Sequence, residues 1–207
     1  MKRLSLTRYR HQAAILLKEI RHGDPQALKR VEQLNSSSFH LSSQDSSNRA
    51  SRLSSSDASH LSSNWQAQIQ LKHCLNIIAI EQGFEQWATF KSAYEASVME
   101  DIAAHYVGGY LNHWYANYDD AKNHLNLHHG YLLPYKKGSM RQYYVCEDAY
   151  IQLFGFDPQA PEWKQIGYDL VRPLDKKSWL ALLDQWVEGQ MSRPTQVPVS
   201  GAGEVQS

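Results

Sequence analysis

Ten histidines are spread along the chain, and two of them, His124 and His128, lie four apart in a stretch whose spacing predicts a helix. Positions i and i+4 share a helix face, so the two imidazoles can ligate one ion. His129 adjoins them, and His105 and His113 are placed to approach. Against this, no His-Glu-x-x-His arrangement is present, and Asp119 and Asp120 are equally explained as capping residues. Exposed or hydrogen-bonded histidines at a helix end are the simpler expectation, since a protonated imidazole complements the C-terminal dipole. Cys146 is the one candidate nucleophile. It stands at the end of a predicted strand, just before a helix whose N-terminus can lower a thiol pKa, and His128 or His129 is its possible base. A buried, inert thiol explains the same position. The chain carries no Gly-x-Ser-x-Gly elbow and no phosphate-loop lysine motif. The expectation is therefore no catalytic residue, no metal and no cofactor.

A richer constellation is Tyr131, Tyr135, Lys136, Lys137, Arg141, Gln142, Tyr143 and Tyr144. Aromatic planes stack on bases and cations neutralise phosphate, so this set can hold single-stranded nucleic acid. It can equally grip a peptide or a carboxylate-bearing small molecule. The simplest alternative is structural: tyrosines on strands pack the edge of a core while their hydroxyls stay wet. Trp114 and Tyr118, four apart, are expected to share a helical face that wedges onto this surface or walls a ligand. In the second case Asn112, Asn117 and Gln142 supply orienting polar groups.

The element that must position these residues is Tyr131–Cys146. Tyr131, Leu133 and Tyr135 alternate with Leu132, Pro134 and Lys136, and Tyr143 and Val145 alternate with Tyr144 and Cys146. Period-two runs of this kind predict two strands. Gly138 accepts a positive φ and so allows a hairpin turn between them. Pro134 donates no backbone hydrogen bond and belongs on an edge or at a bulge. An isolated ribbon is marginal in water, so helices must cover it.

Those helices are readable on either side. Tyr9, Ala13, Leu16, Leu17 and Ile20 predict one over about residues 5–22. Gly23 ends it, and Asp24 and Pro25 open a second carrying Leu28, Val31 and Leu34. Half of residues 36–63 are serine, without apolar periodicity, which predicts a disordered insertion. Structure is expected to resume near Trp65. Leu71, Leu75, Ile78 and Ala79 mark a third helix closed by Gly83, and Trp87, Phe90, Lys91 and Tyr94 a fourth. Ser97 and Glu100 have the capping-box form, predicting a separate fifth helix with Val98, Ile102 and Tyr106, weakened at Gly108-Gly109. Asp119 is expected to cap a sixth helix reaching about His129. Glu147–Phe154 and a piece around Trp163 are read as helical. Asp175 caps a last helix with Trp179, Leu182, Leu183 and Trp186. Residues 189–207 read as a mobile tail.

Length and composition bound the rest. The 207 residues carry 21 basic and 21 acidic side chains, so no global field draws in nucleic acid or membrane. Cys74 and Cys146 lack ligand spacing and read as reduced thiols. No run approaches the ~18 apolar residues of a membrane span, and the N-terminus has no apolar signal core. The expected location is the cytoplasm.

Two parts of the chain resemble known bacterial sequences. Gly23-Asp24-Pro25 and the run Gly83, Phe84, Trp87, Phe90, Lys91 resemble a helical module that often precedes ankyrin repeats. The segments GYLLPYKK and QYYVCEDAYIQLFGFDP resemble a C-terminal region of uncharacterised bacterial proteins, in which Leu-Leu-Pro-Tyr-Lys runs more directly into the second strand. The first resemblance implies a part in interactions; neither implies catalytic residues.

The expected architecture is mainly helical α+β. Residues 1–96 form a helical module with the insertion, and residues 97–188 form helices around a β-hairpin at 131–146. The preferred functional expectation is a non-enzymatic binding or adaptor protein with an unknown protein or small-molecule ligand on the Tyr/Lys hairpin, and with no membrane partner. A metal-dependent hydrolase using His124 and His128, with Cys146 or Asp120 nearby, is the alternative. Single-strand nucleic-acid binding is the third.

Overall fold

A computed structural model of the chain describes residues 3–35 and 68–192. The serine-rich insertion, Trp65 and residues 193–207 lie outside the described residues. Those described fall into two compact units, one within Ser5–Ser97, the other joining the residues before Ser5 to those from Val98 onward. The fold is α+β and mainly helical.

The first unit is built from α1 (Leu6–Arg21), α2 (Pro25–Asn35), α3 (Leu71–Glu81) and the first half of α4 (Trp87–Ala104). Ser5 starts α1, its hydroxyl accepting the Arg8 N–H at 3.2 Å. Leu6, Tyr9, Ala13, Leu16 and Ile20 then form the buried stripe. Asp24 caps α2 by accepting from the Gln26 and Ala27 N–H groups, both at 2.9 Å. Tyr9 packs edge-on to Phe90 at 5.0 Å, and the fork of Arg30 meets Glu81 at 2.9 Å. The buried stripe of α3 is Cys74, Ile77, Ile78 and Ala79, which leaves Leu71 exposed and Leu75 half-buried, contrary to the expected phase.

The predicted break at Ser97 does not occur. Phe90, Tyr94, Val98 and Ile102 are all buried at i, i+4 spacing, so one stripe continues and α4 passes through Ser97–Glu100 as a single helix. It stops at Ala104, so Tyr106 and Gly108-Gly109 belong to the irregular segment beyond it.

The second unit has a sheet at its centre. Its strands are β1 (His113–Tyr115), β2 (Tyr131–Lys137) and β3 (Met140–Cys146), all antiparallel, in the order β1-β3-β2. The hairpin is therefore extended by a third strand. The segment expected to give Trp114 and Tyr118 a common helical face is extended backbone instead, because His113 to Tyr115 pair with Val145 to Tyr143. Lys137 pairs with Met140, so the turn is only Gly138-Ser139, with Gly138 at φ 59°. Pro134 lies on β2, an edge strand, as its missing donor requires. Part of that edge is covered: Leu132 N–H donates to the Tyr168 carbonyl at 2.9 Å and Leu170 N–H returns to the Leu132 carbonyl at 3.1 Å.

Helices α5 (Tyr118–His128), α6 (Asp148–Phe154), α7 (Glu162–Gln165) and α8 (Lys176–Ser192) complete the unit. On one face Leu132 and Val145 pack against Ala121 and Leu125 of α5. On the other, Tyr131, Leu133, Tyr144 and Cys146 are sealed. Tyr144 meets Tyr150 of α6 edge-on at 5.6 Å, and Tyr131 meets Trp163 of α7 at 4.9 Å. Asp175 caps α8 through the Ser178 N–H at 2.7 Å. That helix runs to Ser192, so residues 189–192, expected in the tail, are helical. Gly130 joins α5 to β2 at φ 108°, where an added Cβ would stand 2.7 Å from the Cys146 carbonyl oxygen. A buried carboxylate, Asp169, ties α5 to the 168–172 segment. It accepts from the Tyr118 hydroxyl at 2.6 Å and from the Val171 and Arg172 N–H groups at 3.0 and 2.9 Å, and it pairs with Lys122 at 3.1 Å.

Candidate functional site

Period-two geometry divides the residues expected to form one contact surface between two faces of the sheet. Trp114, Tyr135, Gln142 and Tyr144 share one face, while Tyr115, Tyr143 and Val145 share the other with Leu132. Tyr143 is half-buried there, edge-on to Tyr118 at 5.9 Å and packed against the α5 cluster. It is part of the fold rather than of the Trp114 surface. Tyr131 is 4% exposed, with its hydroxyl donating to the Pro158 carbonyl at 3.1 Å, so it leaves the contact surface altogether. Burial, with a hydrogen bond to Asp148 second, pushes that hydroxyl far above the ordinary tyrosine range. Tyr144 is fully sealed, its hydroxyl 3.4 Å from that of Tyr150, and burial again raises its pKa.

Asn117 is also spent on the fold. It is the N-cap of α5, the role expected of Asp119, and its Oδ1 accepts the Asp120 N–H at 2.9 Å while its Nδ2 donates to Asp120 Oδ2 at 2.7 Å. An amide held in both directions has little left for a ligand.

What remains is an aromatic group on the first face. Trp114 meets Tyr135 edge-on with ring centroids 5.0 Å apart, and Tyr106 lies 5.6 Å from Trp114 and 5.8 Å from Tyr135. Trp114 also lies over the buried Tyr144 at 4.9 Å. Tyr110 joins through Tyr150 at 5.7 Å. Trp114, Tyr106 and Tyr110 keep 38%, 42% and 39% of their surface exposed, while Tyr135 and Gln142 are half-buried. Helical spacing places Tyr106 on the Val98–Ile102 stripe, and Tyr110 falls in a segment without a regular period, so neither is marked as a site residue by sequence. The signal that was available lay in His113-Trp114-Tyr115 itself, a β-prone triplet a few residues after Gly108-Gly109.

The cations of the hairpin are mostly engaged. Lys136 donates to Glu100 in a charged hydrogen bond, and Arg141 reaches the same carboxylate at 3.4 Å. The Lys136 hydrogen bond is the main cause of a Glu100 pKa below the usual carboxylate value. Lys137 is exposed at the hairpin tip. One carboxylate facing two of the three cations weakens the phosphate-binding reading.

The histidines considered as ligands separate into two places. His105 lies edge-on to Phe154 at 4.8 Å and close to Trp186, away from the others. His113 of β1 instead stacks on His124 at 4.3 Å, and His124 on His128 at 4.6 Å. They line a cleft of about 730 Å³ that also includes His129, Cys146, Glu147 and Asp148. Burial first, then His113 and His128, lower the pKa of His124. Cys146 is buried, its Sγ donating to the Tyr131 carbonyl at 3.5 Å. Burial, followed by Asp148 and Glu147, raises its pKa strongly, so the thiolate a nucleophile needs is disfavoured. Asp120, the other residue weighed for hydrolysis, is held by the α5 cap. Among the described residues no helix is long and apolar enough to cross a membrane.

Comparison with protein-family models, with curated proteins and with solved structures finds no match to this chain.

Proposed function

We propose that the second unit is a non-enzymatic binding module whose contact face is the aromatic group Trp114, Tyr135, Tyr106 and Tyr110. The observation that carries this reading is the exposure of three large rings, Trp114 of β1 with Tyr106 and Tyr110 of the segment before it, linked to one another directly or through the buried Tyr150, beside a sheet face whose Tyr131 and Tyr144 are sealed. Rigid aromatic side chains lose little entropy on binding and dominate interface energetics, so leaving them wet without a ligand is a cost the fold does not require. The ligand class that suits the face is an extended protein segment or a small molecule with apolar and carbonyl groups, because the nearby positive charge is already countered by Glu100. The resemblance of the first unit to a module found beside interaction repeats is consistent with an adaptor.

The test is selection of a displayed peptide library and a small-fragment library against the full chain, followed by affinity measurement on Trp114→Ala. A central Trp contributes about 2 kcal/mol or more, so binders should weaken roughly 30-fold. Binders that ignore Trp114→Ala and Tyr106→Ala, or an absence of binders in both libraries, would overturn the reading.

A further inference from the structure

Two backbone outliers meet at one cleft of the second unit. Among the described residues only His129, at φ 64°, and Tyr168, at φ 56°, take a positive φ without being glycine. Both line a cleft of about 520 Å³ formed by the end of α5, the start of α6 and the turn after α7. Left-handed backbone is unfavourable for a residue with a Cβ and persists only where the surroundings fix it. Hydrogen bonds do so here. His129 N–H donates to the Leu125 carbonyl at 3.0 Å, and Tyr168 N–H to the Trp163 carbonyl at 2.8 Å, while the Tyr168 carbonyl accepts from Leu132 N–H at 2.9 Å. Glycine would make both turns without strain. The chain places an imidazole and a phenol there instead. The Tyr168 ring meets Tyr131 edge-on at 5.6 Å and keeps 39% of its surface exposed, so packing is a modest return for the strain.

The rest of the lining is polar. Asn126, Asp148 and Gln159 are exposed at the cleft, as is His129. The Tyr131 hydroxyl reaches both the Pro158 carbonyl, at 3.1 Å, and the Asp148 carboxylate. Its one proton cannot serve both, so an acceptor is left for a donor arriving in the cleft. The carboxamides of Asn126 and Gln159 and the His129 imidazole each offer a donor and an acceptor. Hydroxyl groups match this set, because each both donates and accepts. An ammonium only donates, and a carboxylate only accepts and would meet the charge of Asp148. The face of an aromatic ring is negative, so the exposed Tyr168 suits the C–H face of a saturated ring.

We propose that this cleft binds a small polyhydroxylated ring, a monosaccharide or cyclitol, with Tyr168 as its platform and Asp148 accepting from neighbouring hydroxyls. The left-handed turns set the directions in which the Tyr168 and His129 side chains leave the backbone, and that is what the strain secures. The cleft volume falls within the range of about 300–1,000 Å³ common to small-molecule sites. None of these residues belongs to the Trp114 group, so the site stands or falls apart from that contact face.

The experiment is a nuclear magnetic resonance titration of the labelled full chain with D-glucose, D-galactose, D-mannose, N-acetyl-D-glucosamine and myo-inositol. Each is taken to about 50 mM, since a ligand of roughly a dozen heavy atoms at ordinary efficiency binds in the millimolar range. At least one should shift the amide signals of residues 129–131 and 167–169 saturably. Tyr168→Asn and Asp148→Asn should each weaken that binding about 10-fold or more. Asparagine tolerates the left-handed turn, so Tyr168→Asn should keep the urea midpoint of wild type while losing the platform. Leu127→Ala, exposed on α5 and outside the cleft, should leave binding unchanged. No saturable shift with any of the five compounds would overturn the site. So would shifts confined to other residues, or binding that survives both Tyr168→Asn and Asp148→Asn. Saturable binding of choline in place of the polyols would overturn the hydroxyl assignment. A Tyr168→Asn midpoint well below wild type would overturn the reading of the strain, and the exposed Asp148→Asn then decides the ligand by itself.

Discussion

Asp169 offers the most quantitative test of how the second unit is held together. Its carboxylate is buried and meets four partners: the Tyr118 hydroxyl, the Lys122 ammonium and two backbone N–H groups. Asp169→Ala leaves two backbone donors and one phenol without their acceptor, each worth roughly 1 kcal/mol. It also strips the counter-charge from Lys122, but that ammonium is part-exposed and water can replace the pairing, so the total loss should be about 3 kcal/mol. Tyr118→Phe removes only one of the four contacts and should cost about 1 kcal/mol. The difference between the two variants is the informative quantity, because both touch the same junction of α5 with residues 168–172. Urea denaturation of both, with the slope of the transition compared as well as its midpoint, measures it. The reasoning fails if Asp169→Ala costs under about 1 kcal/mol, or no more than Tyr118→Phe.

Two further outcomes follow from local geometry. Gly130→Ala should destabilise by about 2–3 kcal/mol, since its φ of 108° is strained for any other residue and the new Cβ would meet the Cys146 carbonyl at 2.7 Å; a stability equal to wild type in urea contradicts the α5–β2 connection. The Glu100 carboxyl should titrate below the ordinary glutamate range, by carbon-detected NMR, and move upward in Lys136→Met. A lowered carboxylate pKa gives a contribution present above the ordinary value and lost as pH falls through the folded one, so the link between α4 and the hairpin should loosen only at acid pH. A Glu100 value unmoved by Lys136→Met contradicts the pairing.

Much of this architecture was legible in residue order, and the exceptions have physical causes. Tyr131–Cys146 announces its strands by alternation, and Asp24, Asp175 and Gly155 mark helix ends through their own local chemistry. Local signals mislead where a longer stripe outweighs them. Ser97 and Glu100 can form a capping box, but the buried spacing Phe90–Tyr94–Val98–Ile102 keeps the helix intact. At α5, Asn117 and Asp119 are both competent caps, and only the observed start of the helix decides between them. The strand β1 is three residues long, too short for any period to show, and its pairing with β3 spans about thirty residues of sequence. That single omission hid two things at once: the aromatic group containing Trp114 and the approach of His113 to His124. The division of the tyrosines into sealed and exposed was likewise invisible, because it depends on which side of the sheet α5, α6 and α7 cover.

The proposed contact face therefore rests on residues 113–115 lying beside residues 143–145. Nuclear Overhauser spectroscopy of the labelled full chain tests this most directly. The account predicts antiparallel cross-strand contacts joining Trp114 to Tyr144 and His113 to Val145, together with contacts from the Trp114 indole to the Tyr135 ring. Helical medium-range contacts running from His113 through Tyr118, without any to residues 143–145, would contradict it.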